Sequence, residues 1–141
     1  MKRFLLPVLL LCLAGCTSSR KTGGNTDPAQ LDGVWILEYI SGPRIAFEGL
    51  YPNKKPQLVI TAEDKRISGN TGCNAFSGPL VTEGGKISFD QPMALTKMAC
   101  PGEGEMVFLE TLKKVNAYSI SHGNTLNLNM DEIPLMRFVK K

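Results

Sequence analysis

The sequence has few of the side chains that most often act as catalytic bases, and its charges nearly balance. His122 is the only histidine among 141 residues, and the chain has 16 basic and 13 acidic residues. A metal site built from several histidines is therefore excluded, and a catalytic dyad with a histidine base has to use His122. The small, scattered positive charge gives no reason to expect binding to nucleic acid.

Long hydrophobic runs are also absent, because the longest, residues 4–13, falls short of the roughly 20 residues that span a bilayer. Lys2 and Arg3 precede this run, an arrangement typical of an export signal. The run ends in "LAGC", which closes on Cys16 and resembles the bacterial lipobox, where a lipoprotein signal peptidase cuts before a cysteine that carries diacylglycerol. We therefore expect residues 1–15 to be a signal peptide, and lipid on Cys16 to attach the chain to a membrane.

The lipidated cysteine and a flexible tether are predicted to occupy residues 16–30, followed by a single domain over residues 31–141. The tether is small, polar and turn-forming, and it reaches on the order of 20 Å. Thr17 is not the aspartate that typically retains such lipoproteins in the inner membrane, so we expect a lipid-anchored protein of the cell envelope, at the outer membrane. Removal of the signal lowers the formal charge from +3 to +1 because Lys2 and Arg3 are lost.

Short strands dominate the pattern of the domain. Residues 33–40 and 57–61 are rich in β-branched and aromatic side chains, which favour strands. Residues 117–130 predict a hairpin, because apolar and polar residues alternate on both sides of a Gly-Asn turn. Residues 134–140 predict a closing strand.

One segment, residues 103–116, departs from the strand pattern and predicts an amphipathic helix. Met106, Leu109, Leu112 and Val115 recur every three residues, acids lie in the first turn and lysines near the last. We expect this apolar stripe to cover the core. The fold class predicted is α+β, a small antiparallel lipocalin-like β-barrel or a strongly curved sheet with one helix.

Two motifs, "GNTGCN" at residues 69–74 and "TKMAC" at residues 96–100, carry a family resemblance. Read with the first strand, the helix and the closing strands, they resemble the META domain family, also called HslJ-like heat-shock domains. The resemblance implies a small barrel-like α+β fold that is often found on bacterial lipoproteins. It also implies an association with stress or envelope phenotypes and no established catalytic activity.

Two of the four cysteines are expected to remain available in the mature domain. Cys12 leaves with the signal peptide and Cys16 takes the lipid, which leaves Cys73 and Cys100. An even pair in an oxidising compartment favours a structural disulfide between them.

Other roles for these thiols stay open at the level of sequence. A redox protein would oxidise and reduce Cys73 and Cys100 reversibly, and a thiol enzyme would pair one of them with His122. A zinc site from these three residues lacks the closely spaced ligand pairs of zinc motifs, even if Glu103 or Glu105 is added. We predict a protein that is not an enzyme and that needs neither a metal nor another cofactor.

Two stretches are predicted to form a binding surface. The first is residues 70–77 with the neighbouring residues 96–100, through Asn70 and Asn74, whose side chains can equally hydrogen-bond to backbone there. The second is the loop of residues 41–56, through Arg44, Phe47 and Tyr51, since long loops often carry binding sites. The apolar residues of that loop can equally pin it to the core.

The predicted function is that of a membrane-anchored envelope lipoprotein with a binding or stress-related role. Its partners are expected to be the membrane and an envelope protein, a peptide or a small apolar ligand, with the oligomeric state open. Phe76 and Met98 are predicted to lie in the core rather than at a ligand. The alternatives are the thiol-dependent redox role and, by fold analogy alone, inhibition of a hydrolase.

Overall fold

The computed structural model describes residues 27–141, so the predicted signal peptide, Cys16 and most of the tether lie outside the described residues. The described chain opens with a 3-10 helix, Pro28–Leu31, capped by Asp27, whose carboxylate accepts a 3.0 Å hydrogen bond from the Ala29 N–H. Leu31 is fully buried. Residues 28–30, predicted as tether, thus join the folded domain. Within residues 27–141, every helix is too short or too polar to cross a membrane.

A single antiparallel sheet makes up most of the domain. Its strands are β1 (Gly33–Ile40), β2 (Gln57–Thr61), β3 (Arg66–Asn70), β4 (Ala75–Pro79), β5 (Val81–Glu83), β6 (Lys86–Ser88), β7 (Ala94–Leu95), β8 (Ala117–Ser121), β9 (Thr125–Met130) and β10 (Ile133–Lys140). In space they follow the order β5-β6-β8-β9-β10-β1-β2-β3-β4-β7. The strands predicted at 33–40 and 57–61 and the hairpin across 117–130 are confirmed.

The sheet is strongly curled, and the path of the chain shows why. Strands β4 and β5 stand near opposite ends of the sheet, yet only Leu80 separates them in sequence. Leu80 is buried, and its N–H donates a 2.8 Å hydrogen bond to the Lys65 carbonyl. The two ends must therefore come round to meet at this residue, which confirms the predicted α+β fold with a strongly curved sheet.

The core lies on the inner face of the curled sheet. Trp35 and Leu37 of β1 and Leu126 and Leu128 of β9 are completely buried, at every second position as the alternating pattern predicts. The Trp35 indole N–H donates a 2.7 Å hydrogen bond to the Leu31 carbonyl, so the largest core side chain leaves no polar group unpaired. Burial of each such side chain stabilises the fold by about 1.5–3 kcal/mol.

Gly69 lets β3 approach β2 at the end nearest the "GNTGCN" turn. A Cβ atom built at this position would lie only 1.9 Å from the Gln57 carbonyl oxygen. A side chain there would force the two strands apart. The glycine therefore has a packing role, as expected for close backbone approach.

Two helices complete the fold: α1 (Phe47–Leu50) in the loop after β1, and α2 (Gly104–Leu112) before β8. The predicted helix over 103–116 is too long, because residues 113–115 continue in tighter turns, with N–H groups of Lys114 and Val115 bonding three residues back. The helix buries Gly104, Phe108, Thr111 and Leu112.

The apolar stripe predicted for this helix is wrong at Met106, whose side chain is 52% exposed. The reason is geometrical: a three-residue step falls about 60° short of a full turn of 3.6 residues, so a stripe with that spacing drifts around the helix. Phe108 and Leu112, four residues apart, stay on the buried face instead.

Candidate functional site

The "GNTGCN" motif forms the tight turn between β3 and β4. The Thr71 N–H donates to the Asn74 carbonyl (2.9 Å), and the Asn74 N–H donates to Thr71 Oγ1 (3.0 Å). The Gly72 N–H donates to Asn70 Oδ1 (3.0 Å), and Gly72 itself has a φ of 95°, which glycine adopts without strain. The motif residues thus define the shape of this turn.

Asn74 connects the turn to two other segments of the chain, and its side chain is 1% exposed. Its Oδ1 accepts hydrogen bonds from Thr96 Oγ1 and from the Met98 N–H, both at 2.8 Å. Its Nδ2 lies 3.1 Å from the Met98 carbonyl and 3.0 Å from Glu105 Oε1. One amide therefore joins the β3–β4 turn, the "TKMAC" segment and the first turn of α2, and these three segments together are called the motif junction.

The predicted disulfide between Cys73 and Cys100 is confirmed, with an S–S distance of 2.05 Å and a Cα–Cα distance of 5.9 Å. It crosslinks the two motifs directly beside Asn74, whose Nδ2 also lies 3.0 Å from Cys100 Sγ. The motifs that carry the family resemblance are therefore one connected unit in space.

Glu105 completes the network from the helix side. Its Oε2 accepts hydrogen bonds from the Thr71 hydroxyl and from the Asn74 N–H, the latter at 3.2 Å. The carboxylate lies in the first turn of α2, where it also complements the positive end of the helix dipole. Sequence reasoning noted an acid at the start of the helix but missed its contact with the turn, which only the fold brings about.

A metal ion could bind in this region only if the Cys73–Cys100 disulfide were reduced. Ligand atoms of Cys73, Cys100 and Glu105 lie within 4.8 Å of one another. Both sulfur atoms are bonded to each other, however, so the carboxylate alone offers a lone pair suited to a metal. His122 does not belong to this group; it lies exposed in the β8–β9 turn with a φ of 53°.

Three of the five residues predicted to form a binding surface are buried. Asn74, Asn70 and Tyr51 are 1%, 7% and 7% exposed, because the turn and the core use their polar groups and rings. Arg44 is exposed and Phe47 is half-buried. Asn70 and Asn74, predicted to form a surface around the motif, are therefore buried parts of the motif junction.

The predictions for two neighbouring apolar residues have opposite outcomes. Phe76 is buried in the core, as expected. Met98 is 61% exposed, so its predicted core position is wrong. The reason is that Asn74 binds only the backbone of Met98, through its N–H and its carbonyl, and the side chain is left on the surface.

Tyr51 pins the loop of residues 41–56 to this junction. Its hydroxyl donates a 3.0 Å hydrogen bond to the Gly104 carbonyl at the start of α2. The ring lies so close to Gly72 and Gly104 that a Cβ atom on either glycine would come within 2.9 Å of it. Phe47 lies beside it, with the ring centres 5.1 Å apart. The loop is thus attached by its apolar residues.

Replacement of Tyr51 by phenylalanine tests this attachment. Burial raises the pKa of Tyr51 from 10.0 to about 12. The neutral phenol therefore stabilises the folded state fully below about pH 10, and this contribution is lost as the pH rises towards 12. We expect Tyr51→Phe to lower the free energy of unfolding by about 1 kcal/mol at neutral pH. Above pH 10 the difference between the two proteins should shrink, as measured by urea unfolding.

The matched control is Tyr39→Phe, since Tyr39 is 42% exposed on the outside of the sheet. It should leave the stability at neutral pH unchanged within about 0.5 kcal/mol, as expected for an exposed position. A constant difference between wild type and Tyr51→Phe on both sides of pH 10 would contradict the buried hydroxyl.

Two open grooves flank helix α2, and they differ in character. The loop groove, about 450 Å³, is lined by Arg44 and Ile45 on one side and by Glu103, Glu110 and Lys114 on the other. The apolar groove, about 420 Å³, lies between α2 and the segment that leads into β7; its main lining residues are Phe76, Phe89, Met93, Leu95, Leu109 and Lys113. Both grooves are larger than the recess of about 140 Å³ beside the disulfide.

The curled antiparallel sheet, the covering helix α2 and the disulfide-linked motif junction define a small α+β domain. Residues 29–141 match the META domain family, and the chain belongs to that family. The comparison with curated proteins gives no match.

Solved structures share the fold at low sequence identity. The NMR structure of a protein from Burkholderia xenovorans is 22% identical, with a TM-score of 0.63, over 90% of this chain and 97% of that one. A crystal structure of a DUF4847 family protein from Bacteroides vulgatus is 15% identical, with a TM-score of 0.52, over 78% of this chain and 93% of that one. At this level of identity the similarity supports the fold and nothing finer.

Proposed function

We propose that this protein is a lipid-anchored binding protein of the bacterial cell envelope, without catalytic activity, that helps to maintain the envelope under stress. The Cys73–Cys100 disulfide is the observation that carries the proposal. Disulfides persist in oxidising compartments such as the periplasm and are rare in the cytosol. An exported domain with this crosslink agrees with the export signal and the lipobox-like sequence that ends at Cys16.

The state of the polar groups in the motif junction supports a structural rather than a chemical role for it. Asn74 and Glu105 are each engaged by several hydrogen bonds, and both motif sulfurs are bonded. A nucleophile and a base have to be within reach of each other and of substrate. Here the side chains instead hold three segments of the chain together. We therefore place ligand binding in the open grooves beside α2.

Lipidation is tested by metabolic labelling with an alkyne fatty acid in a bacterial host that processes lipoproteins, followed by mass spectrometry of the N-terminal peptide. Wild type and the control Cys12→Ser should carry label on a chain that begins at residue 16. Cys16→Ser should carry none. Label that persists in Cys16→Ser, or an unlabelled wild type, would overturn the anchoring.

The membrane in which the protein resides is tested by fractionation of the same cells. Wild type should be found with the outer membrane, and Thr17→Asp should move to the inner membrane, because an aspartate after the lipidated cysteine retains such proteins there. Thr17→Asn is the matched control without the charge. A wild-type protein found with the inner membrane would refute the proposed location while leaving the anchor intact.

A redox role is the second candidate, and one contact favours it. Asn74 Nδ2 lies 3.0 Å from Cys100 Sγ, where a hydrogen bond would stabilise a thiolate after reduction. Both cysteines are partly exposed at a recess of about 140 Å³. This candidate requires the disulfide to open under a mild dithiol while the domain stays folded; a bond that resists such treatment would exclude it.

A further inference from the structure

We infer that the apolar groove beside α2 binds the chain of a long-chain fatty acid, with Lys113 holding the carboxylate. The groove has an apolar floor, because Phe76 and Phe89 are 4% and 5% exposed and form its base. Met93 and Leu95 form one wall, and Leu109 of α2 forms the other. Apolar pockets with a few convergent polar groups are the usual form of small-molecule sites.

The wall opposite the helix is held in place by close packing rather than by chance contact. Met93 lies over Gly78 of β4, so close that a Cβ atom on this glycine would come within 2.7 Å of the Met93 side chain. Leu95 pairs with Phe76 across β7 and β4. The groove therefore has two fixed sides, the sheet edge and the helix, and its shape exists before a ligand arrives.

Charge at the rim selects the kind of ligand. Lys113 lies at the end of α2 and lines the groove, and within residues 27–141 it has no ion-pair partner. The acid at the same rim, Asp90, instead accepts a 2.9 Å hydrogen bond from Ser88 Oγ in its own turn. A cation without a partner above an apolar channel complements a molecule with an apolar chain and an anionic end.

The size of the groove favours a single acyl chain. A methylene group takes up about as much space as a water molecule in the liquid, about 30 Å³. The groove of about 420 Å³ thus has room for roughly fourteen such groups. A saturated fatty acid with about fourteen carbons matches this volume, which is too small to hold both chains of a phospholipid at once. The inference rests on the proposed binding role of the domain and is independent of lipid on Cys16.

Isothermal titration with myristate below its micellar concentration tests the inference, on the mature chain from residue 16 with Cys16→Ser so that no lipid is attached. We expect one molecule to bind per chain with a Kd on the order of 10 μM. Octanoate should bind more weakly, because it leaves most of the groove unfilled. Lys113→Gln should weaken myristate about threefold to tenfold.

Three controls make the result specific. Lys114→Gln removes the neighbouring lysine, which lines the loop groove instead, and should leave the affinity for myristate unchanged. Tetradecanol, which lacks the charge, should bind wild type and Lys113→Gln equally. Because Lys113 is exposed, thermal unfolding of Lys113→Gln should match that of wild type.

Several results would overturn the inference. They are no binding of myristate, an equal effect of Lys113→Gln and Lys114→Gln, or a stable dimer in light scattering whose contact covers the groove. None of them bears on whether Cys16 is lipidated. Conversely, the chain could bind myristate and yet never be lipidated in cells. That result would support the fatty-acid site and refute the proposed lipid anchor at Cys16.

Discussion

Asn74→Ala is expected to lower the free energy of unfolding by about 3–5 kcal/mol, because several buried polar groups lose their partner at once. The replacement removes the acceptor of the Thr96 hydroxyl and the Met98 N–H, and the donor to Glu105. Each buried group left without a partner costs about 1–3 kcal/mol, and more when it is charged. Urea unfolding followed by circular dichroism measures the loss.

Two further variants serve as comparisons. One removes an asparagine at an exposed position, and the other changes the chemistry of residue 74 but not its size. Asn53→Ala removes an exposed asparagine of the 41–56 loop and should change the stability by less than about 0.5 kcal/mol. Asn74→Asp keeps the shape but places a second carboxylate against Glu105. Its loss of stability should be at least as large as that of alanine at neutral pH, because the two carboxylates repel each other.

The prediction would fail if Asn74→Ala lost less than about 1 kcal/mol, the value of one ordinary hydrogen bond. Such a result would mean that the three segments hold together without the amide. The motif would then need another explanation, and a role in binding or chemistry would regain support.

Removal of the disulfide by Cys73→Ser together with Cys100→Ser is expected to lower the free energy of unfolding by about 3–4 kcal/mol. The bond closes a loop with a sequence separation of 27 residues, and this loop contains β4 to β7. In the chain-entropy account, the crosslink stabilises the fold by restricting the unfolded chain. Reduction of the wild type should produce the same loss.

The control is the mature chain with Cys16→Ser, which removes a cysteine that lies outside the described domain and should leave the unfolding midpoint unchanged. An equally stable double variant would contradict the structural role of the bond. It would favour the redox alternative, in which the dithiol form is also a folded state.

The sequence predicted most of the fold because the strands carry local signals. The alternation of Tyr118 and Ile120 with serines, and of Leu126 and Leu128 with asparagines, identifies a hairpin with one buried face. All four apolar residues are buried. A curved sheet was predicted, but the place where its ends meet was not, because nothing local marks Leu80 as the single residue between β4 and β5.

The candidate site was only partly predictable, for a similar reason. Counting cysteines identified the Cys73–Cys100 pair, and the structure confirms it. The sequence also predicted that Asn74 and Tyr51 lie on a binding surface, although both are buried. An asparagine in a turn looks the same in sequence whether it faces solvent or a distant carboxylate. Contact with Glu105, 31 residues away, depends on tertiary packing.

The grooves beside α2 were the least predictable features. Lys113 and Leu109 reach the apolar groove because the helix ends at Leu112 and lies against the segment before β7. Neither the end of the helix nor its neighbour follows from the three-residue apolar spacing. The sequence suggested a small apolar ligand, but its candidate binding surfaces were the "GNTGCN" region and the loop of residues 41–56 rather than the apolar groove.

The central claim is that the motif cysteines form a structural crosslink in a lipid-anchored envelope protein. It is tested most directly by peptide mass mapping of the protein from membranes, with free thiols alkylated at the moment of lysis. The account predicts a Cys73–Cys100 linked peptide pair that survives mild dithiol, and acylated Cys16 as the first residue. Alkylated Cys73 and Cys100 together with an unmodified Cys16 would contradict it.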